Sequence, residues 1–227
     1  MIFPTRHCIV GLVCTGFALA MGAATAQAIS PAETLLFQTN HLKNVRAPLT
    51  LTYAFRKAGS LEPGFDDTVE VVLAEGEAAG KPSVTMHFLS VTRQRPTPGV
   101  EGAEGNPALL GFLEHDIAEM KRLTGGSSNY FRKRIRLALA EAAQVRPAHF
   151  TYGGKRIDGR EVSIEPYRND PLAKRFEQYV LKRYTFIISA QVPGGVYRVG
   201  SALAGPAGNA PLMNQTLTLV STTKDKR

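Results

Sequence analysis

NPALLGFLEHDIAEMKRLTGGSSNYFRKRIRLALAEAAQVR, residues 106–146, is the stretch whose reading decides the fold. It reads as two amphipathic helices joined by a Gly-Gly turn. Asn106 is an N-cap, and Pro107 takes the first helical position, where its missing N–H is no loss. At about 100° per residue, Leu109, Leu110, Leu113, Ile117 and Met120 fall within one arc of roughly 100°, the width of a buried helical stripe. Lys121 and Arg122 sit in the last turn, where cations suit the negative end of the helix dipole. Gly125 and Gly126 stop the helix, since glycine takes the left-handed C′ conformation cheaply. Ser127 or Ser128 caps the second helix. On it Phe131, Ile135, Ala138, Leu139 and Ala142 share one face, while Arg132, Lys133 and Arg136 share another. Pro147 follows its end. Two such helices need a sheet to lie on.

The flanking segments supply the strands. Before the pair, Ser30-Pro31-Ala32-Glu33 is a capping box opening a short helix, with Leu35, Leu36 and Leu42 as its apolar side. Leu49–Phe55 alternates with period two and is rich in β-formers, and further strands are expected over 67–74 and 82–92. In the last of these, Val84, Met86, Phe88 and Ser90 lie on one face and Thr85, His87, Leu89 and Val91 on the other. Residues 93–105 form a Pro/Gly/Glu loop. After the pair, 150–166 reads as a hairpin or two short strands in a meander, Tyr184–Ile188 as the most β-prone run, and 196–203 and 212–221 as the last strands. The segment 172–179 admits a helical start. The order is helix, three strands, helical pair, then about five strands. Strands and helices grouped in this way indicate an α+β domain with an antiparallel sheet. Roughly eight strands curl into an open or half barrel, with the helices covering its concave side.

Residues 1–28 read as a signal peptide. Arg6 gives the positive n-region, Ile9–Met21 is apolar, and Ala26-Gln27-Ala28 is an A-x-A cleavage site. Cys8 and Cys14 are the only cysteines, and both lie in this segment. Cys14 follows Gly11-Leu12-Val13, a poor lipobox. A mature domain over 29–223, with a basic tail at 224–227, therefore relies on an ordinary core without disulfides. The location implied is periplasmic. The formal net charge is +8, and +7 once Arg6 is removed. That balance raises the weight of anionic membrane surfaces as partners. Nucleic acid is not expected, because no aromatic stacking platform is present. The oligomeric state is open.

The order of elements, together with Leu49–Phe55, YGGKRIDGREVSIEP (152–166) and YTFIISAQVPGGVY (184–197), resembles the LolA/LolB-like family of periplasmic lipoprotein carriers. Residues 106–146 also resemble other exported bacterial proteins. The carrier resemblance implies a short N-terminal helix, a strongly curved open antiparallel sheet and helices plugging its concave side. It implies a hydrophobic or lipid-like ligand as partner. It carries over no site residue.

An apolar cavity, if present, would be walled by Leu109, Leu113, Ile117, Met120, Phe131, Ile135 and Leu139, facing Tyr53, Phe55, Phe88 and Phe186. Residues at this spacing equally make a filled core, the commoner outcome. Arg132, Lys133 and Arg136 are the candidates for contact with an anionic membrane. Glu114, His115, Asp116 and Glu119 form the nearest thing to a chemical cluster. His115 and Glu119, spaced i, i+4, share a helix face while Glu114 and Asp116 point elsewhere, but Glu119 is expected to pair with Arg122 and the cluster to be exposed. No cofactor, metal or catalytic motif is found: there is no G-x-S-x-G elbow, P-loop or H-E-x-x-H pattern. A hydrophobic-ligand binder leads. A scaffold docking through its helical pair is the alternative, and a hydrolase with an unseen site is the weakest option.

Overall fold

A computed structural model describes residues 28–77, 81–90, 93–96, 98–206 and 210–224. The expected signal segment up to Gln27, both cysteines and the last three residues of the basic tail lie outside these. One antiparallel sheet organises the chain, in the order β4-β3-β2-β1-β10-β9-β8-β7-β6, with β5 also on β3. The strands are β1 (Leu49–Ala58), β2 (Phe65–Glu75), β3 (Pro82–Phe88), β4 (Arg95–Pro96), β5 (Val100–Glu101), β6 (Gln144–Tyr152), β7 (Lys155–Ile164), β8 (Arg183–Ile188), β9 (Val196–Leu203) and β10 (Met213–Thr223). β4 and β5 are two-residue pairings inside the expected loop, so the long strands match the eight anticipated. First and last long strands meet at the sheet's centre, Phe55 opposite Leu217, which ties the two halves together. The outer strands do not pair with each other, so the sheet stays open.

The helical pair forms as its caps dictate. In α2 (Pro107–Thr124) the Asn106 side chain accepts from Ala108 N–H. Gly125 closes the helix at φ 69°, a left-handed conformation that a β-carbon would disfavour. Ser127 caps α3 (Ser128–Glu141) by accepting from Tyr130 N–H. The pair ends earlier than the sequence suggests. Gln144, Val145 and Arg146 already belong to β6, which runs straight through Pro147. Proline is tolerated there because β6 is an edge strand, paired only to β7.

The N-terminal helix is shorter than its capping box suggests. α1 (Pro31–Glu33) is a single turn that widens into a π-helical turn over Thr34–Gln38, and His41–Asn44 is 3-10. The box itself is complete, with Glu33 N–H bonded to Ser30 Oγ and Ser30 N–H bonded to Glu33. β3 stops at Phe88 rather than continuing to 92, because Leu89 takes φ 64° and leaves the pleat. That turn buries Leu89, so the strand buries one face only, with His87 exposed. Residues 91 and 92 lie outside the described set. The segment 172–179 is helical only as two 3-10 turns, Ala173–Arg175 and Glu177–Tyr179.

Candidate functional site

Every second residue of the long strands faces the helices, and pairing register converts that alternation into rungs across the concave face. One rung is apolar: Phe55, Leu217, Val199, Phe186 and Val162, each opposite the next. The adjacent rung, two residues along every strand, is Lys57, Gln215, Ser201, Tyr184 and Ile164. Four of those five side chains are polar, and the rung lies beneath α2. A third rung, Met213 opposite Leu203, is apolar again. The concave face therefore carries a polar seam between apolar rows.

α2 answers this seam from above with Asp116 and Glu119. Asp116 is fully buried. It accepts from Lys182 Nζ at 2.7 and 2.8 Å, from Tyr184 Oη at 2.6 Å and from Ser201 Oγ at 2.6 Å. Lys182 is equally buried, so the pair is a salt bridge wholly out of water. Tyr167 Oη lies 3.1 Å from Tyr184 Oη and extends the network toward α3. Burial, and then the charge of Asp116, push the Tyr184 hydroxyl well above its ordinary range, so it stays a proton donor. One turn on, Glu119 meets Lys57 Nζ at 2.9 Å and Arg122 at 2.9 Å, and Glu62 joins the same two cations. Burial opposes ionisation of Glu119, but the bonds from Arg122 and Lys57 prevail and lower its pKa to about 2.

The N-terminal end of α2 is fastened separately. Asn106 Nδ2 donates to Tyr53 Oη and to the Gly194 carbonyl, both at 2.8 Å. Tyr53 Oη in turn donates to the Val196 carbonyl at 3.1 Å. Buried His41 donates from Nε2 to the Leu35 carbonyl at 2.8 Å, and its Nδ1 accepts from Asn106 N–H at 3.4 Å. Burial lowers the His41 pKa, with the Leu35 bond acting the other way. The neutral ring suits that double role.

The residues named as a cavity wall all lie in the core. Leu109, Leu113, Ile117, Met120, Phe131, Ile135, Leu139, Tyr53, Phe55, Phe88 and Phe186 are each 5% exposed or less. Their rings gather in two groups. Phe55 and Phe88 pack with Phe65, Phe112 and His115 under α2, and Phe131 packs with Tyr130, Tyr167 and Phe176 under α3. Of the wall residues, Leu139 borders a small cleft of about 300 Å³ beside α1. A larger cleft, about 640 Å³, opens elsewhere, at the rim between residues 40–47, the β2 and β3 ends at Glu75, Gly76, Lys81 and Pro82, and Gly102–Glu104.

The charged cluster on α2 differs from its expected exposure. Asp116 is buried in the seam, and His115 is buried with its ring 5.3 Å from those of Phe55 and Phe88. Glu119 does pair with Arg122. Among the described residues no three His, Cys, Asp or Glu gather as metal ligands. Of the basic trio on α3, Arg132 is held by Glu114 of α2 at 2.7 and 2.9 Å, whereas Lys133 and Arg136 are exposed. α3 is also tied down by Tyr130, whose hydroxyl donates to Asp170, and by Arg134, 2.7 Å from the same carboxylate. Sequence reasoning missed Asp116, Lys182, Tyr184 and Ser201 as a set. Their one sequence-level signal is a carboxylate at 116, one residue before Ile117 on the apolar stripe.

No protein-family model matches the chain, and no curated protein matches it. Among solved structures it is similar to the lipoprotein LppX of Mycobacterium tuberculosis, at 10% identity and a TM-score of 0.35, covering 87% of this chain and 99% of that one. LprF from Mycobacterium bovis matches at 13% identity and a TM-score of 0.34, covering 88% and 96%. A LolA superfamily protein from Nitrosomonas europaea matches at 8% identity and a TM-score of 0.24, covering 86% and 94%.

Proposed function

We propose that the chain binds a hydrophobic or lipid-like ligand in the cell envelope, admitted between the α2–α3 pair and the concave face of the sheet. The observation that carries this reading is how the cover is fastened. Beneath α2 the apolar rows are interrupted by the Asp116 seam, so part of the contact between cover and floor is ionic and hydrogen-bonded. When a dry apolar seam is pulled apart, the whole transfer free energy is lost. When a buried ion pair is pulled apart, the charges regain hydration, and the net cost is far smaller than the attraction suggests. A cover fastened in this way separates from its floor at less cost than a fully apolar one. The apolar rungs on either side, with the wall residues above them, then supply the surface that an acyl-type ligand would cover.

Contact with an anionic membrane surface falls to Lys133 and Arg136, since Arg132 is neutralised by Glu114. A hydrolytic role finds no support at Ser201, which is 1% exposed and has no opening to substrate among the described residues. The test is direct. Protein purified under mild conditions is extracted and its lipids measured by mass spectrometry, and a fluorescent fatty acid is titrated into the delipidated protein. Co-purified lipid or saturable binding supports the reading; neither lipid nor binding sinks it and leaves docking through the helical pair as the better account.

A further inference from the structure

The rim cleft is a large open concavity among the described residues, and it lies next to the end of the apolar floor. Glu75 and Pro82 face each other across β2 and β3, two residues beyond the Leu73–Val84 rung that continues into Leu49. Two residues of strand are about 7 Å, so the cleft starts within one rung of the core. Its volume, about 640 Å³, is in the range of small-molecule sites. Its walls are tied by backbone bonds: Leu42 N–H to the Glu104 carbonyl at 3.1 Å, Gly102 N–H to the Pro82 carbonyl at 2.9 Å and Gly76 N–H to the Lys81 carbonyl at 3.2 Å.

The chemistry of the lining is that of an amphiphile's head. Buried Leu42 and Val45, with Pro82, give an apolar base. Lys43, Arg46 and Lys81 stand around it, exposed, and none of them is in an ion pair among the described residues. Glu75 and Glu104 border the same cleft, so the cations exceed the carboxylates by one. Asn40 also lines it, and its buried Oδ1 has no hydrogen-bond donor among the described residues. Cations call for an acid group, and the unmatched Asn40 acceptor calls for an N–H or O–H donor beside it.

We infer that this cleft is a headgroup site for an amphiphile carrying a phosphate with an adjacent hydrogen-bond donor, its tail directed toward the Leu49–Leu73–Val84 rung. This rests on the hydrophobic-ligand reading above. Calorimetric titration below the micelle threshold compares dodecylphosphoethanolamine, dodecylphosphocholine, which has the phosphate but no N–H or O–H donor, and dodecanol, which has no phosphate. The expected order of affinity is ethanolamine, choline, alcohol. Lys43→Glu with Arg46→Glu weakens both phosphate compounds about tenfold and leaves dodecanol unchanged, as two lost exposed charge contacts would. Asn40→Leu narrows the gap between ethanolamine and choline. The charged positions are exposed, so the double variant is expected to keep the parent melting temperature, which is checked alongside. Equal affinity for all three compounds, or phosphate binding untouched by charge reversal, overturns the headgroup site while the hydrophobic-ligand reading stands. Failure of every compound, dodecanol included, overturns both.

Discussion

Asp116 and Lys182, at the centre of the concave face, are wholly buried and bonded to each other, whereas Lys43, Arg46 and Lys81 at the rim are exposed around an open cleft. The residue types are alike in the two places; their access to water is not. In the centre, each polar atom of the Asp116 carboxylate has partners supplied by the fold, from β8, β9 and the turn before β8. Charge there serves to seat α2 in one register on the sheet, because any slip would leave an ion unpaired in a low-dielectric interior. At the rim, the cations are in no ion pair among the described residues, and Arg46 donates only to the nearby Lys43 and Val45 carbonyls, which leaves their charge to meet a ligand. Burial, more than residue identity, separates a structural polar group from a recognition group.

The sharpest way to break this comparison is Asp116→Ala. Removing one partner of a buried pair typically costs about 3–5 kcal/mol, read as a lower urea midpoint, and Lys182→Met in the same chain should restore much of it. A loss below about 1 kcal/mol for Asp116→Ala would mean the seam does not hold α2. Acid should act next on the seam's second carboxylate. Glu119 titrates from an ordinary 4.5 down to about 2 in the folded protein. Its contribution is therefore complete above the unfolded value and is lost as pH falls from 4.5 toward 2. Half-exposed Arg122 screens the effect to roughly 1–2 kcal/mol. Glu119→Gln should flatten the stability profile over that window, and an unchanged slope would assign acid sensitivity elsewhere.

A comparable effect is expected from Asn106→Ala, which removes the cap on α2 and the bonds to Tyr53 and Gly194. About 1–2 kcal/mol should be lost, with faster amide exchange confined to the first turn of α2. Exchange rising equally over α3 would show that the pair moves as one unit. The smallest effect belongs to the rim: Lys43→Ala should change stability by less than about 0.5 kcal/mol. A larger loss would mean that the rim cations hold the fold, and the contrast with Asp116 would collapse.

The caps made the helical pair legible. Asn106, Pro107, Gly125 and Ser127 act through bonds within a few residues, so their meaning survives without tertiary context. Alternation in Leu49–Phe55 likewise marked a strand, and its Leu49, Leu51, Tyr53 and Phe55 are the positions buried. The far end of α3 misled because Ala142 and Ala143 suit a helix, while pairing of β6 with β7 claims the chain from Gln144. His115 and Asp116 misled because charged residues beside an apolar stripe are usually solvated, and nothing local reveals a lysine 66 residues away. The rim cleft was invisible for the same reason, as it is assembled from three separated segments.

Local chemistry in the sequence thus determined the element order, the antiparallel α+β class and most of the buried stripe of each helix, because propensity, capping and periodicity act over a few residues; Leu110 and Ala142, expected on those stripes, are exposed. Only the tertiary structure decided that Lys57, Gln215, Ser201 and Tyr184 stand in one row under Asp116, and that an open cleft faces Lys43, Arg46 and Lys81. Those facts depend on strand register, which is fixed by the packing of the whole sheet at once; a shift of a single residue would turn every one of those side chains to the other face.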